Sequence, residues 1–157
     1  MKLYFLRHAH ALDGADDAAR PLSDQGRDDA RKLAKFLKQT GVEFDAAHTS
    51  PLVRARETAE IILLASAGHK KSPKLEVVDA MTNHTSSAAF QTWLERLPTA
   101  RHVLLVGHEP TISERVRRLL GMIRPDAFEM PKGGLACLET EDRRHAVLKL
   151  FVSPKRI

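Results

Sequence analysis

Four short apolar runs, each followed by a stretch of helical periodicity, constrain this chain more than any other feature. Lys2-Leu-Tyr-Phe-Leu6 ends at Arg7 and His8, and residues 43 to 48 form a second, weaker run. Leu75 to Val78 form a third, and Val103 to Val106 a fully apolar fourth that ends at Gly107. Runs of this kind, bounded by turn residues, suit strands buried on both faces. In the first interval Ser23 caps a helix with Ala30, Leu33, Ala34 and Leu37 on one face and Gly41 as its stop. Ser50 is placed to cap a helix from 51 to about 66, with Pro51 as its first residue and Ala55, Ala59, Ile62 and Leu63 inward. Another helix starts at Ser86 or Ser87, turns Phe90, Trp93, Leu94 and Leu97 inward, and ends at Pro98. The last, from about 110 to 120, carries Ile112, Val116, Leu119 and Leu120. Residues 134 to 140 and 146 to 152 read as two strands joined by the polar loop Glu141 to His145. The alternation predicts an α/β fold: a doubly wound three-layer sandwich, with a mostly parallel sheet, helices on both faces and a C-terminal hairpin.

With 157 residues the chain fits a single domain, 1–157. A domain of this size buries roughly 68–70% of the surface its unfolded chain exposes, enough for a core without staples. Cys137 is the lone cysteine and has no disulfide partner in the chain. The apolar stretches are too short for a membrane span, and the run before Arg7 is too short for a signal peptide. A reducing cytoplasm is the expected location. The net charge of +5 and pI near 9.6 fit an anionic partner: nucleic acid, acidic lipid or a phosphorylated ligand. Aromatic residues make up only 5% and show no stacking pattern beside the basic ones, which argues against nucleic acid. Arg115, Arg117 and Arg118 read as a solvated helix face, and nothing in the chain sets an oligomeric state.

Ligands of open α/β sheets bind outside the carboxyl ends of the strands. Arg7 with His8, Ser50 with Arg54, and Gly107 with His108 each follow a separate strand and fall on that edge. Taken singly, each is an ordinary surface feature; together, two imidazoles and two guanidiniums beside helix N-termini form a pocket for a dianion. Arginine gives phosphate bidentate, permanently charged hydrogen bonds. A neutral imidazole is a competent nucleophile near neutral pH, and its phosphorylated form can be hydrolysed. Phosphoryl transfer needs mostly positioning and charge neutralisation, so neither a metal nor another cofactor is obligatory.

Leu-Arg-His-Ala at 6 to 9, Thr-Ser-Pro-Leu-Val-Arg-Ala-Arg-Glu-Thr at 49 to 58 and Gly-His-Glu-Pro at 107 to 110 resemble, in order and spacing, the three signatures of the histidine phosphatase superfamily, the phosphoglycerate-mutase-like fold. Arg20-Pro21-Leu22-Ser23 followed by Gly26, with the short chain, is most similar to the SixA-type phosphohistidine phosphatase branch. The resemblance implies that His8 is the phosphorylated nucleophile, that Arg7 and Arg54 clamp the phosphoryl group, and that His108 is a second imidazole binding its oxygens. The expected partner is a phosphorylated protein or small phosphorylated substrate; the composition, the short apolar runs and the cationic pocket leave no expectation of nucleic acid, membrane or metal.

Two departures bear on substrate. The glycine often found after the nucleophilic histidine is Ala9 here, tolerable if that residue avoids positive φ. Larger relatives place a Glu after the third strand as leaving-group acid, whereas Asp79-Ala-Met-Thr-Asn-His84 has none; Asp79 and His84 both stay open as substitutes. An alkoxide leaving group gains roughly 10²–10⁴-fold from such an acid, while imidazole departs readily without one, so its lack leans toward phosphohistidine. Glu109 reads better as a neighbour of a helix cap than as an acid, and His10 as a residue of the rim. Asp13, Asp16 and Asp17 read as a solvated loop in which Asp16 or Asp17 can pair with Arg20 or orient a clamp arginine. Alternatives are a small-molecule phosphomonoesterase of the same fold, a mutase, a phospho-ligand binding module without turnover, and a metal-dependent hydrolase built on His8-Ala-His10. Arg7 beside those rings opposes the last.

Overall fold

Strand β1 (Lys2–Arg7) sorts its side chains by alternation, Leu3 and Phe5 to one face of the sheet and Tyr4 and Leu6 to the other. Strand β4 (His102–Gly107) runs parallel beside it in matching register, Leu3 opposite Val103 and Leu6 opposite Val106, so both faces become continuous apolar surfaces. The structure, a computed structural model, describes residues 1–157. Four parallel strands, β1, β2 (Ala46–Thr49), β3 (Leu75–Val77) and β4, join the antiparallel β5 (Leu135–Glu139) and β6 (Val147–Val152) in the order β3-β2-β4-β1-β5-β6.

Helices α1 (Asp24–Gln39) and α2 (Val53–Ser66) cover one face. There Leu33, Leu37, Ala59 and Ile62 pack on Tyr4, Leu6, Leu104 and Val106. Helices α3 (Ser87–Arg96) and α4 (Thr111–Leu119) cover the other, bringing Phe90, Leu94, Ile112 and Val116 against Leu3, Phe5 and Leu105. Each fully buried Leu, Ile, Val or Phe side chain among them contributes about 1.5–3 kcal/mol. The α/β sandwich, the mostly parallel sheet and the β5–β6 hairpin are those expected from the pattern.

Local signals explain most boundaries. Ser23 caps α1 by accepting a hydrogen bond from the Gly26 amide, and Ser86 caps α3 through Ala89. α1 ends in a Schellman motif: Gly41, at φ 73°, bonds to the Lys38 carbonyl and Val42 to that of Leu37.

Several expectations are corrected. β2 begins at Ala46 rather than 43, because Asp45 accepts from the Arg101 and His102 amides and anchors the chain before the ladder starts. α2 starts at Val53 with Leu52 as N-cap, so Ser50 and Pro51 lie outside the helix. Trp93 and Leu97 are half-buried at the margin of α3. Arg115 does not belong to a solvated face: it is 2% exposed, its guanidinium stands 4.3 Å above the Phe90 ring and it donates to the Thr82 carbonyl. Arg117 bonds the Phe128 carbonyl, and Arg118 alone of the three is exposed.

Candidate active site

The carboxyl ends of β1, β2 and β4 lie side by side at the centre of the sheet, and the chemistry collects where they stop. His8 follows β1 and His108 follows β4; their ring centroids are 5.0 Å apart at 51°. His8 is tied at both backbone groups, its amide to the Gly107 carbonyl and its carbonyl to the Gly133 amide. Its Nδ1 lies 2.7 Å from the Ala9 carbonyl oxygen, which can only accept, so in the neutral ring Nδ1 carries the proton and Nε2 keeps its lone pair. Ala9 is buried without positive φ, and its amide donates to Thr58 Oγ1.

Both rings are held neutral. Burial, then the charges of Arg54, Arg7 and Lys132, push the His8 pKa down to about 4 against the opposing pull of the Ala9 carbonyl. Burial, His8 and Arg54 push that of His108 down to about 3.

Arg7 donates from one terminal nitrogen to the Met130 carbonyl at 2.9 Å, and its Nε is buried without a protein acceptor. Arg54, on the first turn of α2, is 8% exposed and is gripped by Asp17, through the backbone carbonyl at 2.7 Å and the carboxylate at 3.2 Å. Asp17 also accepts from Arg20; these hydrogen bonds, Arg20 first, hold its carboxyl below the usual range. Of the loop aspartates, Asp17 is the one that orients Arg54, while Asp16 caps the short 3-10 turn Asp17–Ala19.

The polar atoms left over point to an anion. Two neutral imidazoles 5.0 Å apart lie within reach of the guanidinium charges, Arg7 and Arg54 on His8 and Arg54 on His108, a combination able to stabilise a tetrahedral oxyanion. Nowhere do three His, Cys, Asp or Glu side chains gather as a metal would require, and His10 is exposed with its Nδ1 on Ser23 Oγ at 2.7 Å.

Comparison with known proteins agrees with this geometry. The histidine phosphatase superfamily (branch 1) profile matches residues 3–80. The phosphohistidine phosphatase SixA of Escherichia coli (strain K12) is 30% identical over 136 residues, 82% of this chain and 80% of that protein. The chain belongs to the histidine phosphatase superfamily. Within it the chain falls in the SixA branch and is a phosphatase. The structure of the protein histidine phosphatase SixA complexed with tungstate superposes with a TM-score of 0.86 at 26% identity, covering 99% of this chain and 98% of that one. A second, from Agrobacterium tumefaciens, described as a phosphohistidine phosphatase SixA, gives 0.82 at 26% identity over 98% and 97%.

In this histidine phosphatase neither open substitute for the leaving-group acid is hydrogen-bonded to the cluster. Asp79 and His84 are exposed, and Asp79 contributes its carbonyl oxygen to Thr82 and Thr85. Glu109, just before α4, accepts a hydrogen bond from Ser113 Oγ on that helix. Asn83 holds the rim instead, donating to the Glu109 carbonyl and accepting from Thr111. Sequence reasoning placed Ser50 on this edge but read it as a helix cap, and it missed Thr58. Thr58 links Ala9 to the Arg54 carbonyl. Ser50 Oγ stands 2.5 Å from His108 Nε2, both residues fully enclosed, and the Leu52 amide donates to the same oxygen. A serine before a proline is a strong local signal for a cap, and nothing in its neighbourhood betrays a distant imidazole.

Proposed function

We propose that this phosphatase removes phosphate from histidine side chains of proteins by way of a phosphoryl group carried on Nε2 of His8. The observation that carries the reading is the His8 to Ala9 hydrogen bond, which aims a lone pair out of a ring kept neutral by burial. Nε2 attacks phosphorus; the bond from phosphorus to the substrate nitrogen breaks, and the departing imidazole takes the electron pair and a proton from solvent. Water then attacks the phosphoryl group on His8, the nitrogen regains its lone pair, and inorganic phosphate leaves. Arg7 and Arg54 neutralise the equatorial oxygens through both steps, and His108 binds one of them. That a related SixA binds tungstate, a tetrahedral oxyanion like phosphate, supports this use of the cluster.

The choice of phosphohistidine rests on the missing acid. With Glu109 engaged by Ser113 and neither Asp79 nor His84 hydrogen-bonded to the cluster, an alkoxide would leave unaided, forfeiting roughly 10²–10⁴-fold, whereas imidazole needs no such help. Access supports a protein substrate: a groove of about 430 Å³, lined by residues that include His10, Gln25, Asp29, Pro131, Lys132 and Lys155, opens beside the loop that follows His8. We take residues 1–157 as one folding unit, since both apolar clusters share a single sheet. We place it in the cytoplasm, where Cys137, a free buried thiol, suits a reducing compartment. No helix is long and apolar enough to cross a membrane.

The test compares a phosphohistidine protein, simple phosphomonoesters and sugar phosphates, each with and without EDTA. The phosphohistidine protein is expected to be turned over at least about 10²-fold more efficiently than the esters, without loss on chelation. Equal or faster hydrolysis of an ester would make the chain a small-molecule phosphomonoesterase, and loss of activity with EDTA would make it a metal-dependent hydrolase.

A further inference from the structure

Ser50 sits immediately beyond β2, and its amide donates to the carbonyl of Val106 at 3.2 Å, which locks it to the strand that carries His108. Its hydroxyl has one proton and two acceptor positions. The Leu52 amide fills one acceptor position, and His108 Nε2 lies 2.5 Å away, at a hydrogen-bonding distance. The enclosed hydroxyl has no hydrogen-bond acceptor other than Nε2, so its proton goes there, and the neutral ring must then carry its own proton on Nδ1. That Nδ1 is buried and has no protein acceptor. Ser50 is fully buried and His108 is 3% exposed, so water does not compete for either group.

We infer that Ser50 is a positioning residue that sets the tautomer of His108, holding Nε2 as an acceptor so that the ring presents its single N–H, on Nδ1, to the phosphoryl group. The hydroxyl also serves the other protonation state. When the ring gains a proton, the rotor turns and accepts from Nε2–H, so the contact persists as charge moves onto the imidazole. An alanine offers neither role and leaves the tautomer unselected. The inference rests on the proposed use of His108 as an oxygen ligand, yet the tautomer is a property of the resting protein and can be read apart from turnover.

Two measurements test it. Nitrogen-15 NMR of the imidazole rings, with His108 assigned by its disappearance in His108→Asn, should show the wild-type proton on Nδ1, and Ser50→Ala should show both tautomers. In kinetics, Ser50→Ala should lower kcat by about 10–100-fold with KM little changed, the cost typical of losing a partner that orients a functional imidazole. Ser50→Thr, which keeps the hydroxyl, should keep the Nδ1–H form. A wild-type His108 protonated on Nε2, or Ser50→Ala with unaltered kcat, would overturn the inference. Should the wild-type protein fail to hydrolyse phosphohistidine, the proposed function falls, while the tautomer measurement still decides the role of Ser50.

Discussion

Asp17 holds Arg54 from two sides, its backbone carbonyl on one terminal nitrogen of the guanidinium and its carboxylate on the other. The Arg54 guanidinium is therefore aimed by a short loop element rather than by its own helix. Arg54→Ala should weaken inhibition by phosphate or vanadate more than tenfold, because it deletes a charge-assisted fork in an enclosed site. Asp17→Ala should weaken it by only about two- to tenfold. The Asp17 side chain is 68% exposed and its backbone contact survives the substitution. Equal effects of the two variants would show that the carboxylate, not the carbonyl, sets the clamp.

The depressed pKa values of the two rings make a prediction with a definite sign. An unfolded histidine titrates near 6.5, whereas folded His8 and His108 titrate at about 4 and about 3. Between those limits the unfolded chain binds more protons, so stability is complete above pH 6.5 and is lost as the pH falls toward 4 and 3. Each ring contributes a slope of up to about 1.4 kcal/mol per pH unit in that window. His48 and His102, also shifted down by burial, add to the same loss. Thermal unfolding of the wild type should weaken steadily below pH 6.5, and His8→Asn with His108→Asn should flatten the dependence. An unchanged slope in the double variant would contradict neutral rings at the site.

Gly26 offers a test of how the site is braced. Gly to Ala within a helix normally gains about 1 kcal/mol. Here the added Cβ would lie 2.1 Å from the His10 carbonyl oxygen, a backbone atom of the loop that carries His8. Overpacking of this kind costs about 1–3 kcal/mol or more and outweighs the helix gain. Gly26→Ala should lower the Tm by several degrees, at about 2–4 °C per kcal/mol for a chain of this length. A raised Tm would mean that the loop yields without cost.

Much of this arrangement was legible in the amino-acid order. Leu3 to Leu6 and Val103 to Val106 announce buried strands because every position is apolar, and Ser23 and Gly41 bracket α1 by capping chemistry that depends only on local backbone. Arg7, His8, Arg54 and His108 converge because parallel strands all end on one edge. Arg115 was misread for want of weighing periodicity against charge: it stands three residues after Ile112 and four before Leu119, on the inward stripe. Ser50 and Thr58 were not legible, since each makes its decisive contact with a residue of another element, at separations of 58 and 49 positions.

The most direct test is alkaline-quench mass spectrometry of the protein mixed with a phosphohistidine substrate, with every later step kept alkaline to preserve phosphorus–nitrogen bonds. The account predicts a transient phosphoryl group on the peptide containing His8, absent from His8→Ala, which should stay folded but lose turnover. A phosphate released at full rate by His8→Ala, or a label lodged on another residue, would contradict it.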